Sequence, residues 1–434
     1  MKLIPLFLLF AFAVPHPAEA RLGAPEKKMV QTVDRDRQRN IQLLEKLVNQ
    51  NSGTLNLAGV EEVGRMMRAE LEPLGFDVQW VPMKETGRAG HLIATHKGNG
   101  RGKRMLLIGH LDTVYEPDSP FQRFVLKGDQ AEGPGAGDDK GGMVVMVAAL
   151  RAMRAAGTLK DADIEIVLTG DEEDAGSPRD ASRRHLVEAG KRADAALDFE
   201  GLARQDGLDM GSIARRSSGT WEVRATGKTG HSSGIFSGSA GNGAIYELAR
   251  IITAFRNELP EPNLTFNVGL VVGGTTASTE DEGIRGTATG KTNIIPAAAI
   301  ARGDIRTLSN EQEERVRAKM RDIVAKHMPG AEAEISFKEG SYPPMPPTEG
   351  NRALLGRLNA VNRDLGLAEM GELDPIRRGA GDIAFVAADV DGLVGLGPSS
   401  QGDHAPGETV DLPSIDRQAK RAAILMTRLS REKR

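Results

Sequence analysis

The sequence predicts an α/β fold: a larger domain with a mixed sheet and flanking helices, interrupted by a smaller α+β domain. Three observations predict it. Apolar runs of strand length alternate with stretches at helical spacing. Several of those strands end in His, Asp or Glu, where open α/β sheets carry their chemistry. Between residues 214 and 340 the rhythm changes to strand, helix, strand, strand, helix, strand, and a further His-bearing segment follows. The chain is therefore expected to divide into 1–20, 21–213, 214–340 and 341–434, with the second and fourth pieces forming one domain.

Composition sets the limits. The 434 residues are 39% hydrophobic and 27% charged, an ordinary globular balance with room for two or three domains. A formal net charge of −4 argues against nucleic acid as a partner. An aromatic content of 4% leaves few platforms for stacking bases. Residues 1–20 open on Met1-Lys2, continue in a short apolar run and close on Ala18-Glu19-Ala20. That is the pattern of a secretory signal peptide cleaved after Ala20, and the run is too short to span a bilayer. With no cysteine there is no thiol for lipid anchoring. The expectation is a periplasmic or secreted protein with no membrane attachment after cleavage.

The elements follow in order. Helices are predicted over 33–49 and 57–74, and strands over 76–81 and 91–95. His91 and His96 lie off the strand exits and read as structural. Met105-Leu106-Leu107-Ile108-Gly109-His110 is a buried strand that delivers His110 at its end. Asp112 lies two positions on and shares its face, so it can orient the imidazole. Gly133-Pro134-Gly135-Ala136-Gly137-Asp138-Asp139 is a flexible turn that offers hard oxygen ligands. An apolar helix over 141–155 then points its N-terminal amides at the same place. The strand 163–170 exits into Asp171-Glu172-Glu173-Asp174, and the strand 193–200 ends on Glu200. A helix is expected over 182–189, with His185 a packing residue.

In the inserted domain, strands are predicted over 219–226, 264–272, 297–306 and 333–338, and helices over 242–256 and 310–327. The second helix is expected to be capped by Asn310, with Glu313 completing a capping box. This order is ferredoxin-like. A proline-stiffened return leads to a helix over 351–365, a Gly-rich loop at Arg377-Arg378-Gly379-Ala380-Gly381-Asp382, and the segment Asp403-His404. A last helix is expected over 415–429, after Pro413.

A His-x-Asp or a Gly-Asp-Asp turn alone is more often a surface feature. Their recurrence at successive strand exits favours a metal site. A non-catalytic binding protein on this scaffold is the alternative in another class, and it would not need a second glutamate beside a complete ligand set. The residues alone leave open which of Glu172 and Glu173 is ligand and which is base.

In combination, Gly109-His110-Leu111-Asp112-Thr113-Val114, the 133–142 turn, Glu172-Glu173, Phe199-Glu200 and His404 resemble the di-zinc metallopeptidases that include glutamate carboxypeptidase, aminoacylase and succinyl-diaminopimelate desuccinylase. The resemblance runs from about residue 40 to the C-terminus. It implies a zinc-exopeptidase-like catalytic domain with a lid that also forms a homodimer. It implies two Zn2+ per subunit, replaceable by Co2+ or Mn2+. His110 and Glu200 would hold one ion, Glu173 and His404 the other, and Asp138 would bridge them through a turn containing a cis peptide. Glu172 would be the general base, Asp112 would orient His110, and His231 would stabilise the oxyanion across the dimer. Asn293, Arg306, Gly379 and Gly381 would line the substrate site. Two such ions, about 3.5–4 Å apart, acidify a water toward a pKa of ~7 and polarise a carbonyl. The implied reaction is release of a C-terminal amino acid from a small peptide or N-acyl amino acid. A dipeptidase or N-acyl-amino-acid amidohydrolase is the nearest alternative. Where the chain leaves the lid it reads Gly340-Ser341-Tyr342, and glutamate carboxypeptidases tend to carry an Arg there.

Overall fold

The computed structural model describes residues 22–280, 283–338 and 342–434. The expected signal segment lies outside the described residues, as do Gly340 and Ser341. Among the described residues, no helix is long and apolar enough to cross a membrane.

One six-stranded mixed sheet organises the larger part of the molecule. Its order is Asp77–Pro82, Gly90–His96, Asp163–Thr169, Arg104–His110, Ala195–Asp198 and Gly392–Leu393. The last four run parallel to one another, so their carboxyl ends emerge along one edge. Arg104–His110 pairs with strands on both sides, which explains its uninterrupted apolar sequence. Helix α1 (Ala24–Asn49) and helix α2 (Leu57–Leu71) precede the strands. Helix α3 (Lys140–Ala155) is buried from Lys140 to Met153 and packs between α1 and the C-terminal helix. An all-round apolar helix needs such a place, because water can be kept from it only by neighbours on every side. Helix α4 (Arg179–Arg192) supports the other face, where Leu186 and Ala189 join Leu106, Ile108 and Val167 in a second apolar cluster.

The inserted part has a core of its own. Its strands Gly219–Gly227, Thr265–Phe266, Leu270–Gly274, Ala298–Arg306 and Ala331–Phe337 form one antiparallel sheet. Helix α5 (Ala244–Glu258) and helix α6 (Asn310–Val324) cover it. The Trp221 and Phe255 rings meet edge-on at 5.5 Å within that core, and the indole N–H donates to the Asp304 carbonyl. The order matches the ferredoxin-like expectation. The chain enters and leaves this part side by side, with Arg215 paired to Met345 and Ser218 to Tyr342. Helix α7 (Glu349–Asp364) and helix α8 (Leu412–Leu429) complete the molecule.

Several expectations are corrected. The first helix begins at Ala24, not residue 33, because Met29 and Val33 are both buried along one stripe. The strand expected over 264–272 is two short strands, broken at Asn267 to Gly269. The cap of α6 is Ser309, whose side chain accepts the Gln312 N–H. Ser309 is still extended there, whereas Asn310 is already helical. Helix α8 starts at Leu412, before Pro413, since a proline in the first turn removes only an N–H with no partner inside the helix. The polar stretch Thr276–Glu280 with Arg285–Thr289 is a hairpin.

Phe255 is fully buried against Trp221. Phe255→Ala is expected to destabilise the inserted core by about 3–5 kcal/mol, read by urea denaturation. A cost under about 1 kcal/mol would mean that this core does not hold the insertion together.

Candidate metal centre

The parallel edge delivers the predicted residues. His110 ends its strand, buried, with Nε2 3.0 Å from Asp138 Oδ1 and Nδ1 3.1 Å from the Asp112 carbonyl. Its Nδ1 is also 3.4 Å from the Asp112 carboxylate. Asp112 has no exposed surface. It accepts from the Thr54 hydroxyl at 2.7 Å and from the Glu172 and Glu173 amides at 3.0 and 3.1 Å. One carboxylate therefore fixes both the first imidazole and the paired glutamates.

Asp138 faces two ways. Its other oxygen is 3.1 Å from His404 Nε2, which is 3.1 Å from Glu173 Oε2 in turn. The Asp138–Asp139 peptide is cis, as the resemblance implies. Ligand atoms of His110, Asp138 and Glu173 lie within 4.8 Å of one another. His404 is half exposed and sits at a positive φ of 64°, a conformation that costs energy for a residue with a Cβ. Its loop is tied down by the Tyr115 hydroxyl, which donates to the Ala405 carbonyl at 2.8 Å.

Glu200 opens on the same cavity, but its carboxylate is engaged by the Arg215 guanidinium. Arg215 also donates to the Gly379 carbonyl at 2.8 Å. A Cβ on Gly381 would overlap both Arg215 and Glu200, which is why a side chain is excluded there. The cavity has a volume of about 430 Å3. Glu172, Glu173, Arg306, Ser218, Arg378 and Tyr342 are among its walls. Arg306 is held by Asp304 at 3.2 Å. His231 and Asn293 are exposed neighbours elsewhere on the inserted part, joined through the Ser232 amide and the Asn293 carbonyl at 2.9 Å. Neither lines this cavity.

The electrostatics show what the site lacks. Burial disfavours a charged His110, yet Asp112 and Asp138 outweigh it and push its pKa well above the imidazole range. Hydrogen bonds to Asp138 and Glu173 push His404 up to about 11. Burial pushes Glu172 well above the usual carboxylate range, helped by Glu200, Asp382 and Glu173. Glu173 is raised by burial and by Asp138. Carboxylates crowded away from water and drawing protons onto histidines form a site short of positive charge. Divalent cations supply that charge, and mixed His and carboxylate donors suit them. The residues present fit a metal centre.

Three comparisons bear on this site. Residues 106–428 match the model of Peptidase family M20/M25/M40. The chain belongs to this family. Carboxypeptidase G2 of Pseudomonas sp. (strain RS-16) is 29% identical over 396 residues, 89% of this chain and 88% of the relative. The succinyl-diaminopimelate desuccinylase of Acidiphilium cryptum (strain JF-5) is 30% identical over 282 residues, 63% of this chain and 69% of the relative. Among solved structures, aminopeptidase PepT of Bacillus cereus superposes with a TM-score of 0.73 at 19% identity, covering 91% of this chain and 98% of that one. The YXEP protein of Bacillus subtilis, described as a dinuclear metal binding peptidase, gives 0.63 at 19% identity, covering 92% and 99%. The chain is thus a metal-dependent hydrolase of the family, with the family's α/β fold and inserted lid.

Sequence reasoning missed three residues. Arg215 grips Glu200 from the segment that enters the lid. Thr54 supports Asp112 from the start of the chain. Glu408 is buried and accepts the Gly135, Gly137 and Asp138 amides at 3.0, 2.7 and 3.0 Å. Only Glu408 had a local signal, standing four residues after His404. Glu408→Ala would strand three amides behind Asp138. Metal affinity is expected to fall about 10–100-fold, measured by competition with a chromogenic chelator. Unchanged affinity would show that the turn holds its shape unaided.

Proposed function

We propose that the protein is a glutamate-carboxypeptidase-like exopeptidase that hydrolyses an amide bond to release an amino acid with a free carboxylate. The observation that carries this reading is Glu172. It stands one residue before Glu173, beside the His110, Asp138 and His404 group, in a cavity that also holds Arg306. A binding protein has no use for a half-buried carboxyl of raised pKa at that position.

His110, Asp138, Glu173, Glu200 and His404 would hold two zinc ions, with Co2+ or Mn2+ as substitutes. Such ions supply Lewis acidity toward the amide carbonyl and make a water more acidic. Glu172 takes the proton of the attacking water and delivers it to the leaving nitrogen. Asp112 keeps the His110 ring in place and, through the Glu172 and Glu173 amides, sets the distance between base and ligand. Arg306 binds the free carboxylate of the substrate, a task that suits the planar guanidinium fork, and Asn293, which lies outside its own cavity, would join it only from the lid of a second subunit. Gly379 and Gly381 let the chain approach closely beneath it. His231, remote from its own cavity, would serve the site of a second subunit as an oxyanion donor. Support for a lid-mediated homodimer comes from the exposed Phe236, Ile245, Tyr246 and Val271 of the lid. The pattern of residues 1–20 supports a periplasmic or secreted location. A dipeptidase or N-acyl-amino-acid amidohydrolase would use the same groups on a different side chain.

The test is hydrolysis of a panel of N-acyl amino acids and dipeptides by zinc-loaded protein. Glu172→Ala is expected to lower kcat about 10^2–10^4-fold while the metal stays bound. His404→Ala is expected to lose metal and activity together. No turnover of any member by metal-loaded protein, or full activity in Glu172→Ala, would reject the reading.

A further inference from the structure

Glu172 has a second anchor that the reaction described above does not use. The Tyr342 hydroxyl donates to the Glu172 carbonyl at 2.7 Å. The same oxygen accepts from Arg183 Nη2 at 2.9 Å. Arg183 is fully buried and cannot drift, because Asp382 takes its Nε at 2.7 Å and Asp171 its Nη1 at 2.6 Å. Thr169 and Ser182 hydroxyls bind the remaining oxygens of those two aspartates. The ring of Tyr342 meets Phe385 edge-on at 5.0 Å, and Arg179 lies 4.8 Å over its face. The Arg183 side of that hydroxyl is therefore held in place by Asp171 and Asp382.

Tyr342 also stands at the base of the lid. Its backbone exchanges two hydrogen bonds with Ser218, at 3.0 and 3.1 Å, where the strands entering and leaving the lid lie side by side. We propose that Tyr342 is a positioning residue for the reaction: from the base of the lid, its hydroxyl holds the Glu172 carbonyl so that the base faces the His110, Asp138 and Glu173 group. Asp112 grips Glu172 by its N–H and Tyr342 by its C=O, one on each side of the Cα. A carboxyl on a two-point support samples fewer poses than one on a single support, and a base must keep its geometry to work.

The inference rests on Glu172 being the base, so Glu172→Ala is measured first on a substrate that the wild type turns over. Full activity in that variant removes the premise and not the hydrogen bond. Tyr342→Phe keeps the ring between Phe385 and Arg179 and removes only the hydroxyl. It is expected to lower kcat about five- to tenfold, the worth of one hydrogen bond, with KM within twofold, metal content unchanged and the melting temperature close to wild type. Hydrogen exchange of the segment containing the Glu172 and Glu173 amides is expected to speed up, a readout that needs no substrate. Arg179→Met disturbs the ring face and leaves the hydroxyl, and is expected to keep kcat within twofold. The proposal is overturned if Tyr342→Phe keeps kcat within twofold, whatever its exchange rates. It is also overturned if the loss appears only in KM, if it follows metal loss, or if Arg179→Met loses as much.

Discussion

The site depends on one carboxylate that never meets solvent. Asp112 accepts the Thr54 hydroxyl and two backbone amides, and it faces the His110 ring. Those bonds tie together the end of one strand, the acidic loop after the neighbouring strand and the segment before α2. Three donors hold that carboxylate in one place, and its contact with the ring keeps the imidazole oriented. The cluster built on it is far more negative than its surroundings can offset. Arg215 and Arg378 both feel the Glu200 charge, and the first is paired with it. A divalent cation bound there would offset part of that charge.

The sheet explains how residues so far apart arrive together. Four parallel strands put His110, the Glu172–Glu173 pair and Glu200 on one edge, and the last of them leads toward His404. Behind that edge, Arg183 bridges Asp171 and Asp382 in the dry interior. Removing one partner of such a network leaves an uncompensated charge, which costs far more than the pair itself contributes. The Gly-rich loop before Asp382 is therefore locked to the acidic loop after Thr169, and the two walls of the cavity keep a fixed spacing.

Much of this was legible in the sequence, for a physical reason. A strand flanked on both sides must be apolar along its length, so a polar residue at its end stands out, as His110 and Glu200 do. The buried α3 was legible for the same reason. Exposed elements carry no such contrast. The hairpin Thr276–Glu280 and Arg285–Thr289 is built of Thr, Ser, Ala and charged residues with little apolar alternation. The short strands Val125–Lys127, Gln130–Glu132 and Thr409–Asp411, which brace the turn before Asp138, are equally plain. Arg215 and Glu408 were missed because their meaning lies in partners 15 and 270 residues away. No window of local sequence contains both halves of such a pair. The choice of Glu172 as base and Glu173 as ligand came from the resemblance. The geometry is consistent with it through the contact of Glu173 with His404.

The paired strands at the base of the lid have a consequence for how such a chain can change. The insertion leaves and returns at adjacent points, bonded Ser218 to Tyr342 and Arg215 to Met345. Its two ends are neighbours before the intervening 120-odd residues are counted. A segment attached in this way can be lengthened, trimmed or replaced without re-routing the catalytic sheet, because the sheet registers only the two attachment strands. Variation can therefore accumulate in the lid while the metal edge stays as it is, and new substrates can be met by editing one module.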